Sequence, residues 1–184
     1  MKKWILSSLM LMALTTMAQT EKKSWLVGGG LSLRTGSSTA AFSITPSVGM
    51  FIADNFVVGG NIEYDYNKIG DVKSNGFGIG PFTRYYFGKS KTKPFAVGEF
   101  AFETSTTKNS VTNTNIKTNG YGFLFGLGFA AFINKNVAIE GISGYSFSKF
   151  KDTDGSGGFN LRLGFGLYFN RNNVKDLKSN ILEN

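Results

Sequence analysis

From Gly158 to Phe169 the chain reads GFNLRLGFGLYF, and every second residue is large and apolar. Phe159, Leu161, Leu163, Phe165, Leu167 and Phe169 fall on one face of an extended strand, with Asn160, Arg162, Gly164, Gly166 and Tyr168 on the other. A period of two is incompatible with a helix, whose apolar stripe repeats every three to four residues. The same alternation recurs in eight runs, roughly 24–34, 41–52, 56–66, 76–87, 94–104, 119–133, 137–148 and 158–169. Between them lie short turns (Ala53-Asp54-Asn55, the segment GKSKTK from Gly88, Asn134-Lys135-Asn136) alternating with longer polar stretches: TGSSTA, NKIGDVKSN, STTKNSVTNTNIKT and KFKDTDGSG. The expectation is an all-β, eight-stranded antiparallel up-and-down β-barrel with short turns at one end and long loops at the other.

Alternation leaves open which face meets water, and the charges decide it. Within the runs the charged residues are Arg34, Glu63, Asp65, Arg84, Glu99, Glu103, Glu140 and Arg162, all in phase with the small and polar face. A water-soluble barrel would carry Lys and Glu freely on its outer face. Here that face is mostly Gly, Ser, Thr and Asn, which suits a crowded interior, while the apolar face suits lipid. Runs of this length are what a tilted strand needs to cross hydrocarbon. Aromatic residues gather at both ends, as interfacial girdles do: Trp25, Phe56, Phe87 and Phe169 near the short turns, and Phe42, Tyr64, Phe77, Tyr121, Tyr145 and Phe159 among others near the loops. The reading is therefore a transmembrane barrel.

The first residues, MKKWILSSLMLMALTTMAQT, carry two lysines, a short apolar stretch and small residues at Thr16 and Ala18. That pattern predicts a signal peptide over 1–18, then a barrel over 19–169 and a periplasmic tail over 170–184, in which Val174, Leu177, Ile181 and Leu182 have near-helical spacing. No Cys is present, so neither a disulfide framework nor a lipidated cysteine is expected. Lysines are scattered through turns and tips rather than clustered, and no nucleic-acid partner is expected despite the net positive charge.

At this level the chain resembles the outer membrane protein beta-barrel family, the small relatives of OmpA and OmpX. The resemblance covers about residues 24–169 and rests on the eight-run meander, on Ala53-Asp54-Asn55 leading into FVVGGNIEYDY, and on the closing LRLGFGLYF with Gly164, Leu167 and Phe169. It implies this architecture and a place in the cell outer membrane of a Gram-negative organism, with lipid as its surroundings. The expectation beside it is a monomer, whose loop from Ser105 to Thr118, rich in Thr, Asn and Ser, is open to an extracellular partner or is only a solvated tip. One departure is that the chain continues past Phe169 with NRNNVKDLKSNILEN.

An eight-stranded barrel has an interior just wide enough for its side chains. Glu63, Arg84, Glu99, Glu140 and Arg162 should therefore form a paired charge network in the lumen, because an unpaired buried charge is costly. Pairing across Gly88–Lys93 sets Arg84 near Val97 and Glu99, so Arg84 and Glu99 are the expected partners. The network reads as a static polar plug in a protein with a structural or surface-interaction role. The alternatives are a narrow porin-like channel for ions or small solutes, and a soluble lipid-binding barrel in the periplasm. Asp152 and Asp154 have the opening spacing of a calcium loop, but Ser156 and Gly157 follow where further ligands are needed, so an ordinary turn is the reading. GKS at 88–90 lacks the upstream glycine and following helix of a phosphate loop. No His is present, which excludes His-dependent hydrolysis; no enzyme activity, cofactor or metal is expected.

Overall fold

A computed structural model describes residues 18–36, 39–111 and 114–170. These form eight strands: β1 (Trp25–Gly36), β2 (Thr39–Ala53), β3 (Phe56–Ile69), β4 (Val72–Tyr86), β5 (Thr92–Asn109), β6 (Thr114–Phe132), β7 (Val137–Phe150) and β8 (Ser156–Phe169). Each strand pairs antiparallel with the next, and β1 pairs with β8 to close the barrel. The expected signal peptide and the tail beyond Asn170 lie outside the described residues, as does the side chain of Arg34.

The strands outrun the apolar alternation at one end. Asn67 to Ser74 is a continuous hairpin, with Ile69 opposite Val72 and Gly70 at φ 57° in the turn. Thr104–Asn109 likewise pairs with Thr114–Asn119. Three of the stretches expected as long loops are thus extensions of the sheet, those joining β1–β2, β3–β4 and β5–β6. Their alternating Thr, Ser and Asn are polar on both faces, so apolar periodicity could not show them, although Thr favours strands. The β7–β8 connection is a true turn: Asp152 has φ 62° and the Thr153 hydroxyl donates to the Phe150 carbonyl at 3.0 Å.

Facing follows the alternation. Leu127 is 68% exposed, Phe165 58% and Phe159 84%, a wall no water-soluble barrel would present. Outward aromatics ring both ends, with Tyr85 against Phe87 at 5.0 Å near the short turns and Tyr145 against Phe159 at 6.1 Å near the hairpins. The inward face differs from the expectation at the short-turn end. There Leu26, Phe51, Val57, Tyr86, Phe95, Phe132 and Tyr168 all point inward and pack into one buried cluster. The sequence signal lies in continuous apolar runs such as FVV at 56–58 and FAV at 95–97, where both faces are apolar.

Candidate functional site: a layered lumen

Going from the short turns towards the hairpins, the lumen is built in layers. The first is a lid. Ala18–Thr20 forms a single 3-10 turn under the barrel mouth, with Gln19, Thr20 and Ser24 buried. The Thr20 hydroxyl donates to Asn55 Oδ1 at 2.7 Å and accepts from Lys93 Nζ at 2.9 Å, while the Asn55 amide donates to the Thr20 carbonyl at 2.7 Å. Lys93 is therefore buried rather than lying in an exposed turn as the sequence reading has it. Above the lid, Phe51, Tyr86, Phe95, Phe132 and Tyr168 form an aromatic floor, with Tyr86–Phe95 at 5.0 Å and Phe132–Tyr168 at 4.8 Å.

The charge layer sits on that floor. Arg84 Nη1 donates to Glu140 Oε2 at 2.8 Å, with both side chains about 95% buried. The other Glu140 oxygen, Oε1, accepts from the Tyr168 hydroxyl at 2.6 Å, and the Tyr168 and Tyr86 hydroxyls lie 3.0 Å apart. The Arg84 guanidinium lies 5.1 Å from the ring centres of Phe82 and Phe95, so the aromatic quadrupoles add to the carboxylate's attraction. A second pair follows: Arg162 Nη1 donates to both Glu99 oxygens at 2.9 Å, and Asn61 Nδ2 donates to Glu99 Oε2 at 3.3 Å. These are the two ion pairs among the described residues.

The expected register is observed, since Arg84 lies opposite Val97 and Glu99 opposite Phe82. The expected Arg84–Glu99 partnership is not. Arg84 on β4 reaches Glu140 on β7, and Arg162 on β8 reaches Glu99 on β5. Each pair joins strands three apart in the ring of eight, so the side chains meet across the lumen instead of along its wall. Missing side chains make the room. A Cβ on Gly30 would strike the Arg162 stem, and one on Gly166 the Glu140 carboxylate. At this level a cavity of about 10 Å³ is lined by Thr45, Ser47, Arg84 and Arg162 among others.

Beyond the pairs the lumen widens. Glu63, Asp65 and Glu103 line a vestibule of about 210 Å³ with Asn160 and Arg162. The Ser43 hydroxyl donates to Glu63 at 3.4 Å and the Ser148 hydroxyl to Glu103 at 3.2 Å. Glu63 thus belongs to the vestibule and not to an ion pair. A further space of about 240 Å³, lined by Asp65, Ser74, Glu103 and Ser105, continues between the hairpins. Among the described residues no three or more His, Cys, Asp or Glu side chains gather closely enough to hold a metal ion, and Asp152 and Asp154 are exposed in their turn.

A closed eight-stranded barrel with an apolar exterior and a charged interior defines the architecture of the small outer-membrane barrels. Solved structures with this fold include the N-terminal β-barrel domain of OprF from Pseudomonas aeruginosa (TM-score 0.54, 17% identity, 80% of this chain and 98% of that one). Neisserial surface protein A matches with TM-score 0.51 and 19% identity over 80% of this chain and 95% of that one. Ail, the attachment invasion locus protein of Yersinia pestis, matches with TM-score 0.51 and 12% identity over 81% and 99%. At these identities the likeness is one of fold. No family model matches the sequence, and no curated protein does.

Proposed function

We propose that this chain is a monomeric, non-catalytic integral protein of the outer membrane, its leader removed after Ala18 so that the mature chain begins within the lid at Gln19 and Thr20 still holds it, its lumen plugged, and its hairpins presented to the cell exterior as a structural or surface-interaction element. The observation that carries the reading is the inversion of faces. Leu127, Phe159 and Phe165 are exposed, while Arg84, Glu140 and Arg162 are buried. In water that arrangement exposes an apolar wall and hides ions; in a bilayer each face meets the medium it suits. The plug is supported by the aromatic floor and by the two ion pairs, which line a cavity of about 10 Å³. Under this reading the short turns face the periplasm, and the extended hairpins of β3–β4 and β5–β6 give a surface partner its footing.

A cation channel is the second reading, favoured by one feature: the vestibule carries Glu63, Asp65 and Glu103 on the hairpin side. Two measurements decide. Fractionation of the native host should recover the protein with the outer membrane, released only by detergent; recovery in the soluble periplasmic fraction would defeat both readings. Purified protein in planar bilayers should give negligible conductance, and large, stable conductance steps would replace the plug with the channel.

A further inference from the structure

The barrel closes where β1 meets β8, and that seam stops short. The two strands pair from Trp25↔Phe169 to Leu31↔Leu163 and no further. Both continue towards the hairpin end: β1 stays paired with β2 as far as Gly36↔Thr39, and β8 with β7 as far as Ser156↔Ser148. Extended by two steps, the register would set Ser32 against Arg162 and Leu33 against Leu161. Instead the strands part, and the Leu161 carbonyl is met by the Ser32 hydroxyl at 3.3 Å. The split leaves one edge of each strand without its ladder, and backbone groups in hydrocarbon need partners.

Outside the same seam runs an apolar trench of about 710 Å³. Leu31, Leu33, Ile44, Leu161, Leu163 and Phe165 form its walls. Its floor is low because Gly29, at an outward position, has no side chain; a Cβ there would press on the Thr45 carbonyl and Pro46 backbone.

We propose that this trench binds one linear acyl chain of an amphipathic lipid, with the polar end of the molecule seated at the split between Ser32–Leu33 and Leu161–Arg162. The proposal rests on the membrane reading above. The trench opens sideways onto the wall that faces lipid, so its occupant arrives from the bilayer. Its length is apolar, and hydrogen-bonding groups are offered at one end, which is the polarity of a single-chain amphiphile. A second copy of the barrel would bring another apolar wall and offer nothing polar to the end of the trench where the β1–β8 ladder stops.

The test uses the full barrel in phosphatidylcholine nanodiscs and stearic acid carrying a nitroxide near its methyl end, read by electron paramagnetic resonance. The expected result is an immobilised component that saturates at one probe per barrel and is displaced by unlabelled stearic acid. Ile44→Trp and Leu163→Trp, separately, should weaken it about tenfold, the worth of losing roughly 55 Å² of apolar contact. Leu127→Trp, which lies on β6 away from the seam, should leave it unchanged. An immobilised component that never saturates, that is absent, or that responds equally to all three variants overturns the proposal while leaving the membrane reading intact. Should Leu163→Trp fail to fold, displacement from the native barrel together with Ile44→Trp still decides. A barrel that does not enter nanodiscs at all removes the membrane reading and this proposal together.

Discussion

Glu140 does the most with the least freedom in the lumen: it neutralises Arg84, accepts from Tyr168, and lies in space that Gly166 leaves empty. Removing it strands a buried guanidinium, so Glu140→Ala should destabilise the barrel by ~3–5 kcal/mol. The double change with Arg84→Ala should recover part of that loss, because the stranded charge goes too. Guanidinium unfolding in detergent micelles measures both. The coupling between Arg84 and Glu140 should exceed that between Arg84 and Glu99, and the reverse order would restore the partnership expected from neighbouring strands. The face and burial of these residues were legible in the sequence, since all of them sit in phase with glycines and opposite the large apolar positions. Their pairing was not. Register between adjacent strands names wall neighbours, as it did for Arg84 and Val97, whereas contacts across the lumen depend on how the closed ring is sheared. Arginine's length lets it ignore the wall and reach the far side. Tyr168 is hidden for a related reason: its phase places it on the inward face, but nothing local in the sequence shows that its hydroxyl completes a buried carboxylate.

Elements were legible where one face is apolar and hidden where neither is. The hairpin extensions of β3–β4 and β5–β6 lack any apolar face, so turn-forming residues such as Gly70 and Asp71 stood out while the strands around them did not. The lid under the barrel is a second hidden element. A three-residue turn has no period to detect, and its order comes from tertiary bonds: Thr20 joins Asn55 and Lys93, and the Lys23 amide donates to the Phe51 carbonyl at 2.7 Å. Thr20→Val keeps the shape and removes the hydroxyl, which leaves the Lys93 ammonium without that acceptor and Asn55 Oδ1 without that donor. The expected cost is about 1–3 kcal/mol. Adding Lys93→Met should return part of it, since a flexible apolar chain no longer needs an acceptor. Guanidinium midpoints for the native protein and the two variants check this. If Thr20→Val is neutral, the hydroxyl's bonds to Asn55 and Lys93 contribute nothing to the folded barrel.

At the scale of the molecule, the lumen is closed twice, by chemically different means. The ion pairs close it by charge compensation, and the aromatic floor of Phe51, Tyr86, Phe95, Phe132 and Tyr168 closes it by volume. Closure by charge alone is reversible in principle, because a paired ion can exchange partners with a passing one; closure by packed rings requires the rings to move. Under the plugged reading, this layering lets an acidic vestibule open to one side without making a pore. It also gives an ordered prediction for conductance in planar bilayers. Replacing Arg84 and Glu140 together by Ala removes one charge pair but leaves the floor, and conductance should stay negligible. Replacing Tyr86 and Tyr168 together by Ala opens the floor but leaves Arg84, Glu140, Arg162 and Glu99 in place, and conductance should again stay negligible. All four replacements combined with Arg162→Ala and Glu99→Ala, so that both ion pairs and the floor are opened, should produce discrete conductance, with cations favoured by Glu63, Asp65 and Glu103 at the entrance. Circular dichroism and resistance to protease confirm that each variant is folded before it is recorded. Conductance appearing with the tyrosine pair alone would mean that the charge layer does not seal, and conductance with the charge pair alone would mean that the floor does not.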